Sequence, residues 1–596
     1  MNVDNISLRK LVFFIQSMEE MLFHYAHDSY KVPTLNFHYL CEEIIYSIKK
    51  IKSGVIDKGN LRPLLEELEY MLKNDIVARE LYGDNISALF MGKDNRGEYC
   101  RKKIDITKAS EDESLINKIE SVLLFVLDDL KIDDKYYEKI KQDIELIIVG
   151  SDSFNKNEQA RLFLLSRLLL TEVINRGYSQ EYIYLQLVDK YNVTNFFTND
   201  IEGELAYIWG MFTFVEAEYK VILPVKRKND KKMFEQLKTV SVKDNANRYF
   251  GNSCRWVVEL KLKAVEPVQA REIATSILCL VAAVKQYNRH TNKAYSTKKA
   301  IVIDLNSGRE YKIKKPQKLR LRSRKQNEQQ SFFHIGELIL ADLIVGEKLV
   351  NVINLHTSAI ESTNVDNQLL NLWTIIEVLM EIERKNSYSK ITQICNILTT
   401  VLNATYISSL LEQLVLDFEF HGVDKTIFLN ESVRWTNELE KISALLVLPE
   451  YEVLRKELFY IDGSPLLSYR LEQYAEIFSS RNNIKEYLTA HRKRLEWQIM
   501  RIYRNRNMIV HDGSHLPYVD LILQNLHFYI DTLIDTIFQY VNRGYKSLSS
   551  IYSCLEHKEY QYLQLLDVKE NESEFVNCDN YVKVILGTSN YNNCEE

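Results

Sequence analysis

The sequence predicts a mainly α protein built from several domains, and three observations support this prediction. The chain has 596 residues, which is too long for one hydrophobic core and suggests three or four domains. Only 18 Gly and 8 Pro interrupt it, as is typical of helices joined by short connections. Apolar residues recur at helical spacing along most of the chain. We therefore expect an N-terminal helical domain, a small α+β middle domain and a C-terminal helical bundle.

Residues 1–195 are predicted to form the N-terminal helical domain. Their apolar residues recur every three or four positions, which indicates amphipathic helices. The predicted helices cover Leu8–Tyr25, Leu40–Ile51, Leu61–Leu72, Leu115–Leu130, Ile140–Ile148 and Leu162–Ile174. The polar and charged segment 92–113 is predicted to be a loop.

Near residue 200 the helical period gives way to alternation of apolar and polar residues, which is typical of strands. We expect a small α+β domain over residues 196–330, with a basic linker at its end. Its predicted elements are strands at Tyr219–Val225 and Trp256–Ala264, a helix at Ala270–Tyr287, and a hairpin of Ala300–Leu305 and Glu310–Ile313.

The basic linker is the most positively charged part of the sequence. Within it Lys318, Arg320, Arg322 and Arg324 alternate with uncharged residues, so an extended chain would direct all four cations to one side. Such a row suits the phosphates of RNA. The alternative is a solvated connection between domains, which charge runs often are.

Residues 331–545 are predicted to form a helical bundle with a helical insertion at 385–480. The four bundle helices are expected at Phe333–Leu355, Asn367–Glu383, Ile484–His511 and Tyr518–Val541. Residues 546–596 form a polar, acidic C-terminal extension that we expect to be loosely ordered.

The segment Arg504–Gly513 carries the strongest functional signal. It places arginine, asparagine and histidine at the end of a long amphipathic helix, and Gly513 marks its end. Such a trio can cleave a phosphodiester without metal, because His transfers protons, Arg stabilises the charge on the phosphate and Asn orients one of them. A basic helix end is also ordinary, since Arg and His favour the negative end of the helix dipole.

Two motifs resemble a known family. The residues Arg506-Asn507-Met508-Ile509-Val510-His511 resemble the R-N-x3-H motif of the HEPN superfamily, in its Apea-like branch. The segment Leu369–Leu379, with Trp373 and Glu377, is similar to the L-W-x-x-x-E helix of those proteins. The resemblance covers roughly residues 333–545 and leaves the first 330 undefined. It implies a dimeric helical bundle and a metal-independent ribonuclease that leaves 2′,3′-cyclic phosphate and 5′-hydroxyl ends.

The resemblance also implies roles for four residues. His511 would be the general acid or base and Arg506 the phosphate ligand. Asn507, four residues before His511, could share its helix face and bond to it. Glu377, from another helix, would orient His511 or Arg506, or else form an ordinary salt bridge.

Two arginines compete for the phosphate. Arg504 lies seven residues before His511 and shares its face on a regular helix, whereas Arg506 lies to the side unless the helix loosens. The resemblance favours Arg506, so we expect Arg506 to be essential and Arg504 to be a second, substrate-binding contact.

The net charge and the cysteine content restrict how the protein can bind nucleic acid and in which compartment it works. A net charge of −6 gives no global attraction for nucleic acid, so RNA must meet a local patch. The eight Cys are scattered without zinc spacing, which favours free thiols in a reducing cytosol. No signal peptide or membrane span is expected, and no cofactor or metal is called for. These features predict a cytoplasmic protein.

The sequence-based hypothesis is an RNA endonuclease, a homodimer whose first 330 residues recognise a trigger or substrate and hold the nuclease inactive until it is needed. Its expected partners are RNA and a phage-derived trigger or an antitoxin. The resemblance implies antiviral defence by abortive infection, with a phage-derived trigger, or a toxin–antitoxin role. The alternative is a non-catalytic scaffold that dimerises and binds RNA or a nucleotide.

Overall fold

The computed structural model confirms a mainly α protein with a small α+β part. The chain divides into two compact units, one formed by Met1–Leu168 together with Leu321–Glu596, the other by Leu169–Arg320. The residues that the structure describes are 6–22, 35–89, 91–93, 99–103, 113–150, 153–191, 200–225, 240–243, 249–250, 256–289, 299–314, 344–362, 364–380, 389–420, 438–458, 464–568 and 573–587.

The first unit opens with helices that bury their apolar faces against one another. Their bounds are α1 Ile6–Leu22, α2 Phe37–Lys52, α3 Leu61–Asn74, α4 Ile76–Leu89, α5 Glu113–Lys131 and α6 Lys135–Gly150. The next helix, α7 (Lys156–Asn175), begins in the first unit and ends in the second. The predicted loop at 92–113 is wrong in part, because β1 (Met91–Lys93) and β2 (Tyr99–Lys103) form an antiparallel pair there. Their sequences are short and polar and carry no alternation that would indicate strands.

The rest of the first unit is also helical. Its helices are α11 Ile344–Glu361, α12 Val365–Leu379, α13 Lys390–Ala404, α14 Tyr406–Phe420, α15 Glu438–Val447, α16 Glu452–Leu458, α17 Pro465–Phe478, α18 Arg481–Asp512, α19 Val519–Asn542 and α20 Leu548–Leu566. Two predicted bundle helices, Ile484–His511 and Tyr518–Val541, match α18 and α19 within three residues at each end. The start of the predicted helix Phe333–Leu355 lies outside the described residues.

Helix α18, which we call the motif helix, lies at the centre of the first unit. It packs against α3 from the N-terminal segment and against α12, α13, α17, α19 and α20 from the C-terminal segment. Its core residues recur at helical spacing, with Ile484, Leu488, Leu495, Ile499 and Ile502 all buried. Residues 1–168 and 321–596 therefore share one compact unit, whereas the sequence suggested separate domains for residues 1–195 and 331–545.

The C-terminal extension is more ordered than the sequence indicates. Within residues 548–568 and 573–587 the chain forms α20 and a turn of π-helix at Val582–Leu586. Leu566, Ile585 and Leu586 are buried in one core with α14, α15 and α17. The expected loose order is wrong for these residues, because a few apolar side chains among many polar ones suffice to anchor the segment.

The second unit contains α8 (Gln180–Tyr191), α9 (Ile201–Met211), α10 (Pro267–Arg289) and a five-stranded antiparallel sheet. The sheet order is β4-β5-β3-β6-β7, with bounds β3 Ala217–Val225, β4 Val240–Lys243, β5 Trp256–Ala264, β6 Lys299–Asp304 and β7 Glu310–Lys314. Helix α10 covers the face that carries Val221, Leu260 and Val302. The predicted strands, helix and hairpin are confirmed, and β4 is a further strand.

One stretch among the described residues is long and apolar enough to cross a membrane. It is Lys390–Phe420, which comprises α13 and α14, and 61% of its most apolar 18-residue window is buried inside the protein. Burial to this extent is typical of the core helices of a soluble protein.

Candidate active site

The motif helix presents the R-N-x3-H residues at its C-terminal end. Ser480 caps its start by accepting a hydrogen bond from the Asn483 amide. Gly513 ends it with a left-handed backbone (φ +62°), and its N–H bonds to the carbonyls of Met508 and Ile509. The predicted stop at Gly513 is therefore confirmed. The helix is continuous through His511 and Asp512, so the loosening considered for this end does not occur.

Arg506 and Asn507 lie on the half-exposed side of the motif helix, facing α12. Arg506 Nη1 donates a 3.2 Å hydrogen bond to Asn507 Oδ1, and Arg506 Nη2 lies 3.9 Å from Glu377 Oε1. The Asn507 oxygen thus orients Arg506, where the sequence suggested a bond to His511. Of the roles considered for Glu377, its position is compatible with orientation of Arg506 and with an interhelical salt bridge, since Lys390 Nζ lies closer to it, at 3.1 Å.

Glu377 is held in place by a neighbour on its own helix. Trp373, four residues earlier, donates from Nε1 to Glu377 Oε1 at 3.1 Å. The indole itself is buried and packs against the Tyr503 ring at a centroid distance of 5.6 Å. The L-W-x-x-x-E spacing therefore has a physical basis, because positions four apart share a helix face. We call Trp373, Glu377 and their cationic neighbours the Glu377 cluster.

Sequence reasoning missed one member of the Glu377 cluster. Lys390, the first residue of α13, places Nζ 3.1 Å from Glu377 Oε1, and its side chain is 54% exposed. Lys390 lies thirteen residues beyond Glu377 in a different helix, and no motif or periodicity marks it. A tertiary contact of this kind leaves no signal in one sequence.

His511 is exposed at the last turn of the motif helix. On a regular helix it projects about 140° away from Arg506, because five residues separate them at roughly 100° each. The next residue, Asp512, pairs with Lys50 of α2, and Tyr46 of the same helix bonds to Ser514 at 3.2 Å. The structure therefore brings Arg506, Asn507 and Glu377 together and leaves His511 on a separate, accessible surface.

The structure does not support Arg504 as a second phosphate contact. Its side chain is 1% exposed, and its Nη2 donates to Glu43 Oε1 at 2.8 Å. Although Arg504 and His511 nearly share a helix face, α2 covers the turn that carries Arg504. Asn505 is likewise buried. Its side-chain Nδ2 donates to the Arg501 carbonyl, and its Oδ1 accepts from the Leu516 N–H. The pair Arg504-Asn505 is therefore buried and structural, whereas the pair Arg506-Asn507 is accessible.

Arg504 belongs to a set of charged residues that we call the buried ion cluster, formed by Glu43, Glu67, Arg501 and Arg504. Arg501 is fully buried, donates to Glu43 Oε2 at 2.8 Å and also pairs with Glu67. Burial opposes ionisation of Glu43, but the two guanidinium groups outweigh it and lower the pKa of Glu43. Burial raises the pKa of Glu67. This cluster fixes α2 and α3 against the motif helix.

The predicted RNA contacts in the linker, Lys318, Arg320, Arg322 and Arg324, lie outside the described residues. Further along the motif helix, Arg492 and Lys493 are paired with acids. Arg492 meets Glu559 at 2.6 Å, and Lys493 meets Glu66 at 2.6 Å. These two cations are therefore neutralised locally.

The described residues contain no group of three or more His, Cys, Asp or Glu side chains placed to hold a metal ion. Comparisons of the chain with protein-family models, curated proteins and solved structures gave no match. The family resemblance therefore stays a prediction that depends on the two motifs.

Proposed function

We propose that this protein is a metal-independent endoribonuclease of the HEPN type. The observation that carries the proposal is the sorting of charges at the end of the motif helix. Arg501 and Arg504 are buried in ion pairs, whereas Arg506 lies at the surface with Asn507 and Glu377, and His511 is exposed. Accessible residues at the motif positions are what catalysis on a large substrate requires.

The chemistry follows from these side chains. A neutral His511 takes the proton from a ribose 2′-hydroxyl, whose oxygen attacks the adjacent phosphorus. The bond between phosphorus and the 5′-oxygen breaks, and a protonated histidine returns a proton to that oxygen. Arg506 stabilises the additional negative charge on the phosphate oxygens during transfer. The products are a 2′,3′-cyclic phosphate and a 5′-hydroxyl.

We propose a homodimer because the motif helix of one chain holds Arg506 and His511 apart. Arg506 and His511 diverge by about 140° around the helix axis, so one chain directs them to different surfaces. Two copies that pair through the accessible C-terminal ends of their motif helices would line one groove with two Arg/His sets. A single phosphodiester could then meet Arg506 from one copy and His511 from the other.

The N-terminal helices supply a route for control. They share a compact unit with the bundle, and Glu43 and Glu67 hold buried arginines of the motif helix. A phage-derived trigger or an antitoxin that displaces α2 or α3 would change the motif helix directly. We propose antiviral defence through abortive infection, or toxin–antitoxin control, as the setting.

We propose a cytoplasmic location. Among the described cysteines, Cys41, Cys279, Cys395, Cys554 and Cys578 are free thiols, as is usual in a reducing compartment. The buried character of α13 and α14 also supports a protein that works in water.

A non-catalytic scaffold that binds RNA or a nucleotide is the second candidate. The observation that favours it is the intact helix through His511, which keeps Arg506 and His511 apart within one chain. In this alternative Arg506 binds phosphate and His511 transfers no proton.

The test is digestion of total bacterial RNA by the purified full-length protein in EDTA. We expect discrete fragments from the wild type and from the surface control His557→Ala, and none from His511→Ala. Fragment ends should carry cyclic phosphate, recognised by adapter ligation that succeeds only after the phosphate is removed. RNA binding that depends on Arg506, without cleavage by any variant, would favour the scaffold.

A further inference from the structure

The Glu377 cluster contains more positive than negative charge. One carboxylate oxygen, Glu377 Oε1, is approached by Lys390 Nζ at 3.1 Å and by Arg506 Nη2 at 3.9 Å. The same oxygen accepts the Trp373 indole N–H. Two cations from different helices thus converge on a single carboxylate, which leaves a local charge of +1.

The two cationic nitrogens are close enough to share an anion. Since both distances are measured to the same oxygen, Lys390 Nζ and Arg506 Nη2 are at most about 7 Å apart, the sum of 3.1 and 3.9 Å. Charge-assisted hydrogen bonds to phosphate are about 2.8 Å long, so one phosphate group can bridge them. Lys390 is 54% exposed and Arg506 27%, so solvent reaches both.

Two other cations of the motif helix, Arg492 and Lys493, lack this availability. Lys493 meets Glu66 at 2.6 Å and Glu496 at 3.3 Å, and Arg492 meets Glu559 at 2.6 Å. Each of these cations has at least one carboxylate partner, so its positive charge is balanced. Arg506 Nη1 is bonded to Asn507 Oδ1 at 3.2 Å, whereas Arg506 Nη2 lies 3.9 Å from Glu377 Oε1, which is beyond hydrogen-bonding distance. Arg506 Nη2 is therefore the nitrogen that can donate to a ligand.

We propose that Lys390 is a phosphate-binding residue that acts together with Arg506 on the RNA backbone, with Glu377 as the counter-ion that holds both cations in position. This inference rests on the proposed ribonuclease function and adds a residue that the R-N-x3-H motif does not contain. Trp373 limits the movement of Glu377, so the two cations meet the phosphate at a fixed spacing. Lys supplies a point charge and Arg a planar fork, which suits two oxygens of one phosphate group.

The test measures RNA binding separately from cleavage. Full-length protein carrying His511→Ala is titrated into a fluorescein-labelled single-stranded RNA of mixed sequence, and anisotropy gives Kd at several salt concentrations. Lys390→Gln is added to this background. The matched control is Lys456→Gln, since Lys456 also pairs with one carboxylate, that of Glu452, and is 64% exposed.

We expect Lys390→Gln to weaken binding about tenfold at low salt, because it removes one charge-assisted contact. The slope of log Kd against log salt should fall by about 0.7, the value for one phosphate contact on a single strand. Lys390→Arg should restore most of the affinity, and Lys456→Gln should change neither quantity. A melting temperature that matches the parent protein shows that each variant is folded.

Failure of the inference and failure of the proposed function give different results. If Lys390→Gln binds RNA with the Kd and salt slope of Lys456→Gln, Lys390 does not bind phosphate, whether or not the wild type cleaves RNA. If the wild type does not cleave but binding still depends on Lys390 and Arg506, the phosphate site stands and the enzyme proposal falls. Absence of RNA binding by the His511→Ala protein overturns the inference about Lys390, and cleavage by the wild type then decides the proposed function.

Discussion

Substitution of Glu43 by Gln tests whether the buried ion cluster holds the N-terminal helices to the motif helix. Glu43 is fully buried and accepts from Arg501 Nε and from Arg504 Nη2, each at 2.8 Å. Gln keeps the shape of the side chain but removes its charge. Two buried guanidinium groups would then face Glu67 as their remaining carboxylate.

The size of the effect follows from these contacts. Removal of one partner from a buried ion pair costs about 3–5 kcal/mol, because a charge is left without compensation. Glu67 offsets part of this cost. Burial and the charge of Glu43 raise the pKa of Glu67, so loss of the Glu43 charge favours ionisation of Glu67 beside Arg501. We therefore expect Glu43→Gln to lower the free energy of unfolding by about 3 kcal/mol, the lower end of that range.

The assay is hydrogen–deuterium exchange over residues 495–512, supported by guanidinium denaturation of the full-length protein. Glu42→Gln is the control, since Glu42 is the preceding residue on α2 and is 47% exposed. It should change stability by less than about 0.5 kcal/mol. Exchange at the motif helix should accelerate strongly in Glu43→Gln and remain unchanged in Glu42→Gln. Equal protection in the two variants would refute a structural role for the buried ion cluster.

Three further predictions concern the same unit. Asn505→Ala should destabilise the protein by about 2 kcal/mol in thermal denaturation, since it removes two buried hydrogen bonds. Its matched variant, Asn507→Ala, should leave the melting temperature unchanged and slow RNA cleavage about tenfold. Gly513→Ala should cost about 1 kcal/mol in the same assay, because a Cβ meets no atom within 4 Å there and the left-handed backbone alone opposes it. Burial, with a smaller contribution from His356, lowers the pKa of His527 to about 4, so the unfolded state binds a proton at higher pH than the folded state. Stability should therefore fall by up to about 3 kcal/mol as pH drops from 6.5 to 4, and His527→Gln should remove this component. A wild-type stability that stays constant over this pH range would contradict the His527 prediction.

The helices of the bundle could be predicted from sequence because their signals are local. The apolar period of Ile484–Ile502 and the stop at Gly513 place the motif helix within three residues at its start and one at its end. The central sheet was predicted for the same reason, through the alternation in β3 and β5. The hairpin of β1 and β2 carries neither signal, and its polar residues read as a loop.

The candidate site was predicted less completely, because its organisation depends on contacts distant in sequence. Glu43 and Arg501 are 458 positions apart, and no spacing rule connects them. Helical geometry alone favoured Arg504 over Arg506, since it takes no account of α2, which covers Arg504. Lys390 reaches Glu377 from another helix. Side-chain type and spacing proposed the candidate residues, but tertiary packing decided which of them are accessible.

The distance along the chain between the partners of the buried ion cluster also affects how the protein is made. Glu43 leaves the ribosome 458 residues before Arg501, a delay of roughly 20 to 90 s at synthesis rates of about 5–20 residues per second. During that interval the surface of α2 and α3 that later receives the motif helix is exposed to water. The motif helix therefore gains the ion pairs of Glu43 and Glu67 only after most of the polypeptide has been synthesised.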